Sequence, residues 1–222
     1  MAIIVDCETV AIVGAEALAE PVSAPANYKD PDKIAAYIAE KQREQVERAA
    51  LYPYTARIVA LGWCHETDEV NRVEVINNEA REAAVLREFW SAAVDRGVVF
   101  PLVTFNGRAF DLPLLMVRSR LLGVPAPDLN LDRYRSPHPD LLELLTFRGA
   151  LPARSLVWFA RRFGLDVSDG FSGRHVAELY EAGNWDAIRS HCDADVTLTR
   201  QLGERLGVLR RRPVVAAAGG PF

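Results

Sequence analysis

The sequence predicts an α/β domain in which a mixed β-sheet is covered by helices. Two observations support this fold class. Four apolar segments of strand length lie in the first half of the chain, and helical patterns dominate the second half. The 222 residues, of which 50% are hydrophobic and 25% charged, are sufficient for one domain with a sizeable core.

Four segments have the composition of β-strands. Residues 2–9 are apolar up to two acids, as expected of a central buried strand. Residues 57–65 and 70–76 predict two further strands that are joined by a polar turn. Residues 98–105 predict a fourth strand, in which Pro101 requires a bulge or an edge position because proline cannot donate to the ladder.

Several other segments have the periodicity and the end signals of helices. Apolar residues recur at helical spacing over 79–95, where Asn78 is a candidate cap and Gly97 follows the end. Asp140 and Glu143 have the spacing of a capping box. The remaining predicted helices cover about 110–122, the segment after Asp140, Ser155 to Gly164, and the segment from Asn184 to about 206.

The predicted elements favour a single domain over residues 1–207, with a helical insert at 19–52 after the first strand. Within this insert, residues 31–51 predict a charged helix whose apolar stripe is thin, so we expect it to lie on the surface. Residues 208–222 close the chain, and because the last ten of them lack periodicity we expect a flexible C-terminal tail.

Composition excludes several classes of protein. No apolar run approaches the roughly 18 residues of a membrane span, and no signal-peptide pattern is present, so we expect a cytoplasmic protein without a membrane partner. Cys7, Cys64 and Cys192 are dispersed and odd in number, which argues against a disulfide framework or a structural zinc site. A net charge of −4 argues against an architectural DNA binder but not against a nuclease whose carboxylates hold metal ions.

The first candidate site residues are Asp6 and Glu8 at the end of the first predicted strand. Residues two apart on a strand point to the same face, so both carboxylates would project together. Buried carboxylates need compensating positive charge, and divalent cations with oxygen ligands supply it. Taken alone, the same pattern also fits the start of a solvated loop.

Asp111 is the second candidate, in a segment where an apolar strand ends, Asn106 and Gly107 form a turn, and a helix begins. An acid in the first turn of a helix is also favoured by the helix dipole. That alternative explains Asp111, but it does not explain why Asn106 and Phe110 accompany it.

His191 and Asp195 form the third candidate group, on the last predicted helix. Their spacing of four residues places both side chains on one face of that helix. A surface pair or a hydrogen-bonded core histidine would have the same spacing.

In this order along the chain, the three groups resemble the motifs of the DEDD exonuclease superfamily, which has a ribonuclease H-like fold. Segments 155–160 and 183–196 are most similar to predicted exonucleases related to the proofreading domain of family B DNA polymerases. The resemblance covers most of residues 1–205 and leaves out the helical insert and the tail. The matched residues are Asp6, Glu8, Asn106, Phe110, Asp111, His191 and Asp195.

The resemblance implies a metal-dependent 3′→5′ exonuclease that hydrolyses single-stranded DNA in a proofreading or repair-like role. Its cofactors would be two divalent cations, Mg²⁺ with Mn²⁺ as a substitute, which activate the attacking water and stabilise the leaving 3′ oxygen. The carboxylates that it assigns to these cations are those of Asp6, Glu8, Asp111 and Asp195.

The resemblance also implies roles for three other residues. His191 would orient or deprotonate the attacking water, Asn106 would hold the scissile nucleotide, and Phe110 would pack in the core or stack on the substrate. The spacing of His191 departs from the superfamily, where a histidine lies five residues before the last aspartate and a tyrosine four before it. His191 lies four residues before Asp195, at the tyrosine spacing, which leaves the identity of the base open.

Two other functions are compatible with the same residues. An RNA-trimming exonuclease similar to ribonuclease D would need contacts to the 2′-hydroxyl, and the sequence does not locate such contacts. A module that binds single strands without cutting them would gain nothing from a pocket of four carboxylates. We expect single-stranded nucleic acid as the partner, with DNA preferred to RNA.

Overall fold

A computed structural model of the protein describes residues 1–167 and 175–210. Within these residues, a four-stranded mixed sheet is flanked by helices on both faces. The α/β prediction is therefore confirmed, and the architecture is consistent with a ribonuclease H-like fold.

The central sheet is built from four strands: β1 (Ile3–Ala11), β2 (Ala56–His65), β3 (Arg72–Val75) and β6 (Leu102–Val103). Their order is β3-β2-β1-β6, in which the first three strands are antiparallel and β6 is parallel to β1. The short strands β4 (Val94–Asp95) and β5 (Val98–Val99) form a separate hairpin.

The fourth strand predicted at 98–105 is wrong as a continuous strand. Its first residues pair within the hairpin, whereas Leu102 and Val103 pair with Ile3 and Ile4 in the main sheet. Pro101 lies between β5 and β6 and has no N–H to donate to a sheet ladder. Its carbonyl accepts a hydrogen bond from the Ile3 N–H at 2.9 Å.

The helices follow the predicted end signals. The Asn78 side chain accepts the Arg81 N–H, so its predicted role as a cap is confirmed. Ser155 and Asn184, where two further helices were expected to start, also cap those helices with their side chains. Helix α6 had no counterpart in the sequence prediction. The helices of the described residues are α1 (Pro31–Glu47), α2 (Glu79–Ala93), α3 (Asp111–Leu121), α4 (Leu141–Leu145), α5 (Leu156–Arg162), α6 (Val176–Glu181) and α7 (Trp185–Arg205).

Alternate residues of β1 serve two cores on opposite faces of the sheet. Val5 and Cys7 pack in a core that includes Phe89 of α2 and residues of α3. Ile4 and Val10 point to the other face, where α7 covers the sheet. Because both faces are covered, the middle of β1 is held rigidly between two helical layers.

A buried ion pair ties α3 to the helix before it. The Arg118 guanidinium donates two hydrogen bonds to the Glu82 carboxylate at 2.7 and 2.8 Å, and Glu82 also accepts the backbone N–H of Ile58. The bidentate geometry and the third bond satisfy the buried charges. Helix α3, which begins at Asp111, is thereby fixed relative to β2.

The insert and the C-terminal end differ in how they pack. Helix α1 has no buried residue, so its predicted surface position is confirmed. In the expected tail at 208–222, Leu209 is buried against Gly203, and residues 211–222 lie outside the described residues. Among the helices described, none is long and apolar enough to cross a membrane.

Candidate active site

The first two candidate residues, Asp6 and Glu8, lie on the face of β1 that is covered by α7. Glu8 is buried, whereas Asp6 is partly exposed. Immediately after Glu8, the pairing with β2 shifts register, because Glu8 pairs with Ala60 but Thr9 pairs with Ile58. Such a bulge adds local twist to a strand, and here it lies next to the candidate carboxylates.

Gly62 allows α7 to approach this face of the sheet. It pairs with Asp6 across the β1–β2 ladder. A Cβ at this position would lie 2.8 Å from Cγ2 of Val196 and 2.9 Å from Sγ of Cys192, both on α7. The absence of a side chain therefore brings α7 within reach of the carboxylates on β1.

The close approach of α7 brings His191 and Asp195 to Glu8. His191 is buried, and its Nε2 lies 3.6 Å from Oε1 of Glu8 and 3.9 Å from Oδ2 of Asp195. Ligand atoms of these three residues all lie within 4.8 Å of one another. The prediction that His191 and Asp195 share one face of the helix is confirmed. That face contacts Glu8 on β1 rather than solvent.

Asp111 reaches β1 from the other side of the sheet, at the edge where β6 has ended. Its Oδ1 accepts hydrogen bonds from the backbone N–H of Cys7 at 3.2 Å and from the Cys7 thiol at 3.0 Å. The open edge of β1 is thus capped by a carboxylate that the first turn of α3 supplies. Asp111 thereby joins the cluster beside Asp6, although it lies 104 positions after Cys7 in the sequence.

Charge repulsion within the cluster is strong. Burial raises the pKa of the Asp6 carboxyl well above its usual range, and the neighbouring Asp111, Asp195 and Glu8 raise it further. Burial also raises the pKa of Asp111 to about 6, although its hydrogen bonds from Cys7 act in the opposite direction. The four carboxylates therefore form one electrostatic unit.

The donor set of the cluster suits a hard divalent cation. Carboxylate oxygens are the preferred ligands of Mg²⁺ and Mn²⁺, and a bound cation would relieve the repulsion that raises the pKa of Asp6. The Cys192 thiol lies within the same 4.8 Å group as Asp6 and Glu8. Burial and the nearby acids raise the pKa of this thiol. Hard cations such as Mg²⁺ also prefer oxygen ligands to sulfur, so the carboxylates are the better ligands.

Asn106 and Phe110 lie in the loop before α3 rather than in the carboxylate cluster. Asn106 is exposed and adopts a left-handed conformation with φ of 64°, which asparagine tolerates better than most residues. Phe110 is half-buried against the core that includes α2 and α3. This position favours the core role over the stacking role for Phe110.

Asp140 is a residue whose importance the sequence showed only in part. The predicted cap of α4 is confirmed, since its Oδ1 accepts the N–H groups of Leu142 and Glu143. The same carboxylate also accepts the backbone N–H groups of Asn106 and Arg108. It therefore holds the loop that leads into Asp111.

Three features near the site were not predicted from the sequence, and only one of them left a local signal there. Gly62 interrupts an otherwise bulky apolar strand, and that pattern indicates a close approach by another element. The contacts of Cys7 with Asp111 and of Asp140 with the 106–108 loop join distant segments, so no local pattern indicates them. All three cysteines are buried, and within the described residues none of them forms a disulfide.

Comparison with known proteins agrees with this geometry. Residues 51–210 match a family described as predicted 3′–5′ exonucleases related to the exonuclease domain of PolB. The match contains Asp111, His191 and Asp195, whereas Asp6 and Glu8 precede it and join the cluster through the sheet. A search of curated proteins found no significant match. Since the match covers most of the chain, the protein belongs to this family of predicted 3′–5′ exonucleases related to the exonuclease domain of PolB.

Proposed function

We propose that this protein is a metal-dependent 3′→5′ exonuclease that removes nucleotides from the 3′ ends of single-stranded DNA. The observation that carries the proposal is the clustering of Asp6 with Glu8, Asp111 and Asp195 from three separate elements. In a protein that only bound nucleic acid, a negative cluster at the binding site would lower the affinity for the phosphate backbone. Such a cluster would instead favour substrate binding and cleavage if divalent cations were bound between the carboxylates and the phosphate.

The four carboxylates would hold two divalent cations, Mg²⁺ in the first instance and Mn²⁺ as a substitute. Bound there, such cations supply an activated water and neutralise the charge that develops on the phosphate. The charges of the other three acids all act on Asp6, which would make it the residue best placed to serve both cations. Asp111 is held in position by Cys7, so its carboxylate is oriented before substrate arrives.

His191 is the proposed proton acceptor for the attacking water. Its Nε2 faces Glu8 and Asp195 at 3.6 and 3.9 Å, which keeps the imidazole at the edge of the carboxylate cluster. The exposed Asn106, at the turn before α3, would contact the terminal nucleotide. DNA is proposed over RNA because the family is related to the exonuclease domain of PolB.

The proposal is tested with oligonucleotides that carry a label at the 3′ end. Purified protein is incubated with single-stranded DNA or RNA of the same sequence in EDTA, Mg²⁺ or Mn²⁺, and released mononucleotides are measured. We expect release from DNA in Mg²⁺ and Mn²⁺ and none in EDTA. Faster release from RNA would reassign the substrate, and binding without release in either metal would favour a non-catalytic module.

A matched pair of variants links any activity to the cluster. Asp111→Asn removes one carboxylate charge and should abolish release. Asp193→Asn is the control, because Asp193 lies on α7 only two residues from Asp195 but is exposed and contacts Asn71 instead. An Asp111→Asn variant with nearly normal release would overturn the assignment of the site.

A further inference from the structure

A cavity of about 580 Å³ lies between α1 and the chain segments on either side of that helix. Its wall contains Tyr37, Lys41, Arg48, Tyr52 and Tyr54, and we call it the insert cavity. A neighbouring cavity of about 670 Å³ shares Tyr37 with it. Both volumes fall in the range of roughly 300–1,000 Å³ that is typical of ligand sites.

The insert cavity forms where the insert meets the matched region of the family. The Gln45 side chain donates to the Glu20 carbonyl at 3.2 Å and ties α1 to the segment before it. Tyr52 and Tyr54 belong to the matched residues 51–210, whereas α1 lies outside them. The cavity is therefore a feature of this chain's insert rather than of the matched region alone.

The insert cavity lies next to the strand that carries the candidate carboxylates. Thr9 follows Glu8 directly, and its hydroxyl donates to the Ala50 carbonyl at 2.7 Å in the short 3₁₀ helix Ala49–Leu51. The Ile12 N–H donates to the Thr55 carbonyl at 2.8 Å beyond the end of β1. Strand geometry places the end of β1 roughly 10 Å from Glu8. A nucleic-acid strand that ended at the carboxylates would reach the cavity within a few nucleotides.

The side chains of the insert cavity combine aromatic rings with a cation. Tyr52 and Tyr54 are 55% and 71% exposed, so their rings are accessible to a stacked base. Lys41 and Glu44 form an ion pair at 2.6 Å and neutralise each other. Arg48 makes no ion pair within residues 1–167 and 175–210, which leaves its charge for a phosphate. Exposed rings beside a guanidinium are typical of surfaces that bind single-stranded nucleic acid.

We propose that the insert cavity is a subsite for the single-stranded substrate, upstream of the nucleotide that is removed. Bases stack on Tyr52 and Tyr54, and the Arg48 guanidinium contacts the backbone phosphate. The orientation of the strand rests on the proposed exonuclease function, whereas the binding itself does not.

Binding is measured first, without cleavage. Fluorescence anisotropy of labelled decathymidylate in EDTA and low salt compares the wild type with Tyr52→Ala/Tyr54→Ala and with Arg48→Glu. We expect each variant to bind at least about tenfold more weakly. Arg96→Glu is the matched control for charge, because Arg96 is exposed in the β4–β5 turn and does not line the insert cavity. Decauridylate is tested in parallel, and weakening with either oligonucleotide supports the subsite.

Turnover then distinguishes failure of the subsite from failure of the proposed function. In Mg²⁺, the tyrosine variant should raise KM for decathymidylate far more than KM for a dinucleotide, since a dinucleotide does not reach the cavity. Wild-type affinity and wild-type KM in both cavity variants, with thermal stability intact, would overturn the subsite and leave the exonuclease proposal standing. If the cavity variants bound more weakly and the wild type showed no nuclease activity, the subsite would be supported and the exonuclease proposal overturned.

Discussion

The backbone N–H of Cys7 donates to the Asp111 carboxylate at 3.2 Å, at the edge of β1 where the pairing with β6 has ended. One side chain thus performs two tasks. It satisfies a buried donor that the sheet leaves open, and it adds a fourth carboxylate to the cluster around Asp6. Stability and the proposed catalysis are therefore linked at Asp111, and this link has consequences for pH dependence.

We predict that the metal-free protein becomes less stable as pH rises from about 4 to above 6. Burial raises the pKa of Asp111 from its ordinary value of 3.8 to about 6, so the folded state holds this proton more tightly than the unfolded state does. The contribution of Asp111 to stability is fully present below the pKa that its carboxyl has in the unfolded state. It is lost as the pH rises through the higher pKa of the folded state. Asp6, whose pKa is also raised, acts in the same direction.

Thermal unfolding in EDTA at a series of pH values measures this effect. Asp111→Asn cannot titrate, so its Tm should fall less than that of the wild type between pH 5 and pH 7.5, by a few degrees. Adding Mg²⁺ should raise the wild-type Tm at neutral pH and raise that of the variant much less. If the Tm of the two proteins in EDTA changed with pH in parallel, the raised pKa of Asp111 would be contradicted.

A second prediction concerns Asp140. Replacement by alanine leaves the N–H groups of Asn106 and Arg108 without their acceptor and removes the cap of α4, so we expect a loss of about 2 kcal/mol or more. Asp140→Asn retains one acceptor oxygen and should lose less. Chemical denaturation gives both values.

A single helix cap serves as the comparison for Asp140. The Ser155 hydroxyl oxygen accepts the Trp158 N–H, so Ser155→Ala should cost about 1 kcal/mol and leave nuclease turnover unchanged. Asp140→Ala should also lower turnover, because the loop that it holds leads into Asp111. Equal losses of stability in the two alanine variants would mean that Asp140 acts as a cap alone.

A third prediction separates proton transfer from positioning at His191. If the imidazole accepts the proton of the attacking water, His191→Ala should lower kcat by roughly 100-fold at saturating Mg²⁺. His191→Gln retains hydrogen-bonding capacity but not basicity, so it should remain as slow. His191→Tyr restores the residue type of the superfamily at this spacing and should recover part of the loss.

Stability measurements accompany the His191 variants, because this side chain is buried between Glu8 and Asp195. A variant that unfolds at the measuring temperature is compared at a lower one. Wild-type kcat in folded His191→Ala would assign the histidine a packing role, and full activity in His191→Gln would assign it a role in positioning the water.

The fourth prediction concerns the contact between β2 and α7. Gly62→Ala places a Cβ within 3 Å of Val196 and Cys192, so we expect a loss of about 1–3 kcal/mol from overpacking. Displacement of α7 would also move Asp195 away from β1 and lower turnover. In a Cys192→Ala/Val196→Ala background the same substitution should cost less, and an unchanged cost would show that the contact with α7 is not its cause.

The sequence alone determined the features that depend on short-range geometry. The two-residue period of a strand placed Asp6 and Glu8 on one face, and the helical period placed His191 and Asp195 on another. Caps such as Asn78 were predictable for the same reason, because a cap needs only a side chain and the N–H groups of the next turn.

Only the tertiary structure decided how these local pieces meet. The split of the fourth strand at Pro101 depended on which neighbour each half found. Val98 and Val99 pair with the adjacent β4, whereas Leu102 pairs with Ile3 in the first strand of the chain. The capping of Cys7 by Asp111 joins residues 104 positions apart, and the closeness of α7 depends on the missing side chain of Gly62. Such contacts arise from packing between whole elements, and periodicity within one element carries no information about the element that will cover it.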